Sequence, residues 1–138
     1  MTMSFELFVD IDQDFNHFLK SRTWDYIKRN WDYVRNLYKS FEVNLYYRKS
    51  SSDYVHLMLR SSYTPSVIEQ FQVRALLHDD PWRIGIDLRR LAIQGEDEIN
   101  RIFEMKVKNG TVYKVGPWID ITDQVKEMKW RGSDDKEN

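Results

Sequence analysis

The sequence predicts an α+β two-layer sandwich. Residues 5–12, 41–48 and 54–60 alternate apolar and polar side chains with a period of two, as half-buried strands do. Residues 24–38 and 67–76 carry apolar side chains at helical spacing instead. Near the C-terminus, Asn109-Gly110 between two strand-like runs marks a β-hairpin. Strands that share one apolar face and helices with one apolar stripe bury both by stacking as two layers.

Each element follows in order. In residues 5–12, Phe5, Leu7, Val9 and Ile11 share one face, and Glu6, Phe8, Asp10 and Asp12 the other. Residues 14–39 read as helical, with a seven-residue echo in which "WDYIKRN" is followed directly by "WDYVRNL". Trp24, Ile27, Trp31, Val34 and Tyr38 then form one stripe, with Lys28, Arg29, Arg35 and Lys39 toward solvent. Phe41, Val43, Leu45 and Tyr47 point inward from the next strand, and "KSSSD" is a turn. Val55, Leu57 and Leu59 are the inward residues of the third strand. Thr64 is placed as an N-cap with Pro65 at the first helical position, and Val67, Ile68, Phe71, Ala75 and Leu76 as the buried stripe that follows. Asp80-Pro81 starts another helix, which Gly85 weakens by about 1 kcal/mol. Residues 101–107 and 111–115 flank the hairpin turn, and "WIDITDQVKEM" supplies a strand end and a short helix begun at Thr122 or Asp123.

The order β-α-β-β-α-(α)-β-β follows the ferredoxin-like or RRM-like plan, an antiparallel sheet with helices on one face, plus an added C-terminal hairpin. One domain over residues 1–130 and a disordered polar tail over 131–138 are expected. With 21 Lys+Arg against 22 Asp+Glu, the net charge of -1 excludes a uniformly basic nucleic-acid coat but leaves room for a local basic face. The absence of Cys removes disulfides and thiolate metal sites. No apolar run approaches about 18 residues, so a cytoplasmic protein is expected (in the host cytoplasm if viral), without a membrane partner.

Strand parity then gathers the chemistry. Phe8, Asp10 and Asp12, His56 and Arg60, and Asn44, Tyr46 and Arg48 fall on the face away from the helices, which that plan leaves open. Two carboxylates at i,i+2 can converge on a hard divalent cation. Arg48, Arg60 and His56 can meet phosphate, and Phe8 and Tyr46 can stack on bases. The bland readings stand beside these: Asp10 and Asp12 as solvated strand-end or capping residues, and His56 as an ordinary sheet residue. No nucleophile elbow, zinc-protease helix or phosphate-cradling glycine loop is present.

Three short motifs carry a resemblance. "FVDID" with Asp10 and Asp12, "SSSDYVHL" with Ser50–Ser52 and His56, and "GID" with Asp87 resemble, in order and approximate spacing, the motifs of the archaeo-eukaryotic primase-polymerase superfamily. The resemblance implies Mg²⁺ or Mn²⁺ at Asp10, Asp12 and Asp87. It also implies a catalytic set of Asp10, Asp12 and His56, Ser51 beside the phosphates, and a nucleotidyltransferase-like activity if the chain is catalytic. Asp87 falls on the predicted helix, within reach of Arg83 and Arg90. Separately, "RALLHDDPWRIGIDLRR" resembles a segment of small uncharacterised proteins of archaea and their viruses and plasmids, which implies a mobile-element origin and supplies no activity; the replication-associated function expected here comes with the primase-polymerase resemblance. The alternatives are a non-catalytic RRM-like module for single-stranded nucleic acid or a protein partner, and a homodimerisation domain.

Overall fold

A computed structural model of the chain describes residues 4–102 and 104–127. The tail expected over 131–138, and Phe103 within the expected strand 101–107, lie outside the described residues.

The first alternating stretch forms β1 (Phe5–Ile11), the next two form β2 (Val43–Lys49) and β3 (Val55–Ser61), and β6 (Ile119–Asp120) is a two-residue addition. The sheet runs β1-β3-β2-β6 and every pair is antiparallel. β1 and β2 both run against β3, so they run parallel to each other with β3 inserted between them. This is the split β-α-β arrangement of the expected plan. Leu7, Val9, Val43, Leu45, Val55, Leu57 and Leu59 lie on one face, with no exposed surface.

That face is covered by α1 (Arg22–Leu37), α2 (Val67–Leu76) and the short α4 (Thr122–Val125). The helical stretch expected from residue 14 divides into a 3₁₀ turn over Phe15–Lys20 and α1 proper, separated by Ser21. Ser21 caps α1 by accepting the Trp24 N–H, which supplies one of the orphan donors of a helix start. The heptad echo does what its spacing predicts: Trp24, Ile27, Trp31, Val34 and Tyr38 are all buried in the core.

Two expectations are corrected. α2 starts two residues later than read, with Ser66 as N-cap in a reciprocal capping box with Glu69. Its buried side is also rotated. Gln70, Val73 and Arg74 face inward, with Leu77 just beyond the helix end, while Ile68 is 72% exposed. The stripe was placed by hydrophobicity alone. Arg74 turns inward because two carboxylates wait for it there.

α3 (Pro81–Gln94) begins as expected, with Asp80 accepting the Trp82 N–H and Pro81 at the first helical position. It lies at the margin of the fold, and Asp87 is its one buried residue. β4 (Met105–Lys108) and β5 (Thr111–Lys114) form the expected hairpin as a separate two-stranded ribbon. Asn109 and Gly110 both adopt positive φ, at 53° and 78°, as a type I′ turn requires.

The ferredoxin-like plan has a fourth strand beside β1; here side chains and one loop amide occupy that slot. The Asn100 side chain donates to Glu6 O and accepts from Phe8 N, both at 2.7 Å. Arg83 donates to Phe8 O at 3.1 Å, Asp10 N donates to Asp79 Oδ1 at 2.8 Å, and Asp80 N donates to Asp10 O at 2.8 Å. Among the described residues, no helix is long and apolar enough to cross a membrane.

Candidate functional site

Register decides which predicted site residues meet. Asp10 pairs with His56 across β1 and β3, and His56 pairs with Arg48 across β3 and β2. The three therefore form one cross-strand row on the face away from the helices. The next row, two residues along, is Phe8, Met58 and Tyr46, and the third is Glu6, Arg60 and Asn44. At about 3.4 Å per strand residue, Arg60 sits roughly 14 Å from the Asp10 row. There it meets Ser4 Oγ at 3.1 Å and Glu6 at 3.8 Å instead.

The row sets three polar side chains side by side. Arg48 Nε donates to His56 Nδ1 at 3.1 Å, which fixes Nδ1 as an acceptor and leaves the ring proton on Nε2. His56 Nε2 lies 3.9 Å from Asp10 Oδ1. Burial, with Arg48 and Arg83 nearby, holds His56 down to about 3, so the ring is neutral. Burial pushes Asp10 up to about 6 against the pull of Arg83, with Asp79, Asp80 and Asp12 adding repulsion.

This part of the face is covered, not open. Arg48 and His56 are each 4% exposed and Met58 5%. The cover is Trp118. Its ring lies 4.2 Å from the Arg48 guanidinium carbon and stacks on Phe8 at 6.1 Å between centroids. Gly116 anchors this stretch: its N–H bonds Lys49 O at 2.8 Å. The chain thus passes tightly against the end of β2 before Trp118 crosses the face.

Arg48 Nη2 is buried and has no hydrogen-bond partner. No described carboxylate lies within ion-pair distance of this guanidinium; burial holds its pKa below the ordinary value, against the pull of the Glu104 carboxylate.

The remaining predicted residues are placed as follows. Asp12 is exposed, one position beyond β1. Tyr46 is half-buried opposite Asp120. Ser51 is half-buried in the turn after β2. In that turn Ser50 has the structural role, its Oγ accepting the N–H groups of Ser52 and Tyr54. Asp87 is 2% exposed, with Arg74 Nη2 2.8 Å from Oδ2 and Arg90 Nη1 3.4 Å from Oδ1. Of the two arginines expected beside Asp87, Arg90 is there. Arg83 is turned to Asp79 instead, 2.7 Å from Oδ2. Among the described residues, no group of three His, Cys, Asp or Glu stands where it could hold a metal ion. Asp10 and Asp12 remain as two oxygen donors.

Sequence reasoning missed two features. Arg74, Asp79, Arg83 and Asp87 form a buried charge network, with Arg74 Nε 2.6 Å from Asp79 Oδ2. Beside it a cleft of about 640 Å³ opens between Asp10, α3 and the 95–102 segment, lined by Trp82, Ile86, Arg90 and Arg101 among others. "DDPWR" contains the signal, since Asp79 cannot cap the same helix as Asp80 and needs another partner. Comparison with protein-family models, curated proteins and solved structures gave no match for the chain.

Proposed function

We propose that the protein binds a nucleotide, or the phosphate-bearing end of a nucleic-acid strand, on the sheet face at the Asp10–His56–Arg48 row. The observation that carries this reading is Arg48: a buried cation with an unpartnered Nη2 and, among the described residues, no carboxylate within ion-pair distance, Glu104 acting on it only from further off. A buried charge is costly unless paired, and an anionic oxygen would pair it. The groups around it suit a nucleotide. A nucleobase is a planar π system like the Trp118 indole, and can take that position against Phe8 and Arg48 when the indole swings out. His56 then keeps Arg48 oriented, and Tyr46 extends the surface along the next row.

Asp10 and Asp12 would hold Mg²⁺ or Mn²⁺, with the ligand's phosphate oxygens completing the ion's shell. Such an ion would neutralise phosphate charge. Asp87 is held by Arg74 and Arg90, so it is not free to join Asp10 and Asp12 as a third ligand. The reading therefore stops at binding and does not extend to nucleotidyl transfer. The primase-polymerase likeness and a mobile-element role in replication belong to this proposal as its guide to ligand class.

Thermal melts with nucleoside triphosphates and oligo(dT), with and without Mg²⁺ or Mn²⁺, test it. A ligand at a hundredfold excess over Kd adds about 2.7 kcal/mol. Asp10→Asn with Asp12→Asn should abolish the metal-dependent part of the response, and Arg48→Gln the part that persists without metal. A parent protein whose melting temperature ignores every nucleotide, oligonucleotide and ion refutes the proposal.

A further inference from the structure

The β4–β5 ribbon is absorbed by neither the core nor the proposed site. It meets the body of the domain on one side: Lys106 Nζ donates to Ser52 Oγ at 3.0 Å and lies 5.5 Å over the Tyr113 ring. Register places Lys106, Lys108, Thr111 and Tyr113 on that face, and Met105, Val107, Val112 and Lys114 on the other. The second face is turned outward. Met105 is 56% exposed, Val107 66% and Val112 50%. A two-stranded hairpin is at best marginally stable alone, and large apolar side chains held out in water lower its solubility without adding to its packing. Such a face has a reason when something covers it.

The charges favour one kind of cover. Every ionisable group from 105 to 114, tyrosine aside, is a lysine (Lys106, Lys108 and Lys114), in a chain whose net charge is -1. Two copies of this ribbon would repel one another, and an acid-rich surface would attract it. The shape is also specific. The Asn109-Gly110 tip is slim, with nothing within 4 Å of where a Gly110 Cβ would stand. The major groove of B-form DNA admits a two-stranded β-ribbon, and thymine methyl groups there accept apolar contacts.

We infer that the β4–β5 ribbon enters the major groove of duplex DNA, with Val107 and Val112 toward the base edges and Lys114, on the same face, on a flanking phosphate. This contact is separate from the nucleotide site on the sheet face. It predicts a preference that charge alone does not: the deep, narrow major groove of A-form RNA excludes the ribbon.

The test is fluorescence anisotropy of the full chain with a labelled 20-base-pair DNA duplex, the RNA duplex of equal sequence and single-stranded DNA, across a salt series. The parent should bind the DNA duplex at least tenfold tighter than the RNA duplex. Lys114→Ala should make the slope of log Kobs against log salt shallower by about 0.9, from one lost phosphate contact. Val107→Thr with Val112→Thr keeps good strand formers on the ribbon and should weaken binding several-fold at unchanged slope. All three side chains are exposed, so melting temperatures should stay within a few degrees and show that the variants fold. Equal affinity for both duplexes, or binding of single strands alone, overturns the inference. So does a concentration-dependent dimer abolished by the valine changes, or binding to anionic vesicles in place of DNA. Nucleotide-induced stabilisation that persists in the ribbon variants separates the failure of this inference from failure of the sheet-face reading.

Discussion

Replacing Asp79 by Asn preserves the shape of the side chain and removes its charge. The structure sets the size of the loss. Asp79 is 3% exposed and Arg74 has no exposed surface. Asp79 Oδ2 accepts from Arg74 Nε at 2.6 Å and from Arg83 Nη1 at 2.7 Å, while Oδ1 accepts the N–H groups of Asp10 and Asp80 at 2.8 and 3.0 Å. Asparagine keeps one acceptor and turns an NH₂ toward two guanidinium groups. Breaking a buried ion pair by neutralising one partner costs about 3–5 kcal/mol. With a urea m-value of about 1–3 kcal/mol/M, the unfolding midpoint should fall by roughly 2 M. Urea titration followed by tryptophan fluorescence measures this directly. Asp79→Ala should fall further, because the Asp10 and Asp80 amides then lose their acceptor as well. A midpoint for Asp79→Asn within about 0.3 M of the parent would refute the claim that this network holds α2, α3 and β1 together.

Three further outcomes follow from the same coordinates. Between pH 3.8 and about 6 the folded chain keeps a proton on Asp10 that the unfolded chain has released, so this group makes stability fall as pH rises. His56 acts oppositely between about 3 and 6.5, where the unfolded chain takes a proton that the folded chain refuses. Asp10→Asn should therefore show a melting temperature that climbs with pH over this window, and His56→Gln one that declines. Parallel curves in buffered thermal melts would show that the row does not titrate this way. Trp31→Ala, at a position 3% exposed, should cost about 3–5 kcal/mol as a large-to-small core change, and an unchanged denaturant midpoint would remove α1 from the core. Asn100→Ala strips partners from both Phe8 N and Glu6 O and should cost about 1–3 kcal/mol. Amide exchange at Phe8 should accelerate in step, and exchange at the parental rate would sink the account of the β1 margin.

The alternation of Phe5 to Ile11 and of Val55 to Arg60 was enough to place Asp10 and His56 on one face, because a strand offers each side chain only two directions. The Asn-Gly turn and the Trp24–Tyr38 stripe were legible for the same local reason. What could not be read is whatever depends on a partner in another element. Arg74 looks like a solvent residue until Asp79 and Asp87 are beside it, so the inward side of α2 was misjudged. Trp118 sits 62 positions beyond His56 in sequence. Nothing near either residue announces that one will cover the other, so the face was expected to be open. The cleft beside Asp10 needs α3 held away from the sheet, which hydrophobic spacing within α3 does not reveal.

The margin of β1 has a consequence for how this molecule meets others. Five outward-facing backbone groups, Glu6 O, Phe8 N, Phe8 O, Asp10 N and Asp10 O, already have partners within the chain. A strand edge recruits a foreign segment by offering unsatisfied donors and acceptors in sequence, and here those five are taken. An incoming chain would have to displace an amide, a guanidinium and a buried carboxylate before forming its first ladder bond. Templated growth and strand donation are thus closed off on this side of the sheet. At the opposite margin, β6 presents a run of only two residues.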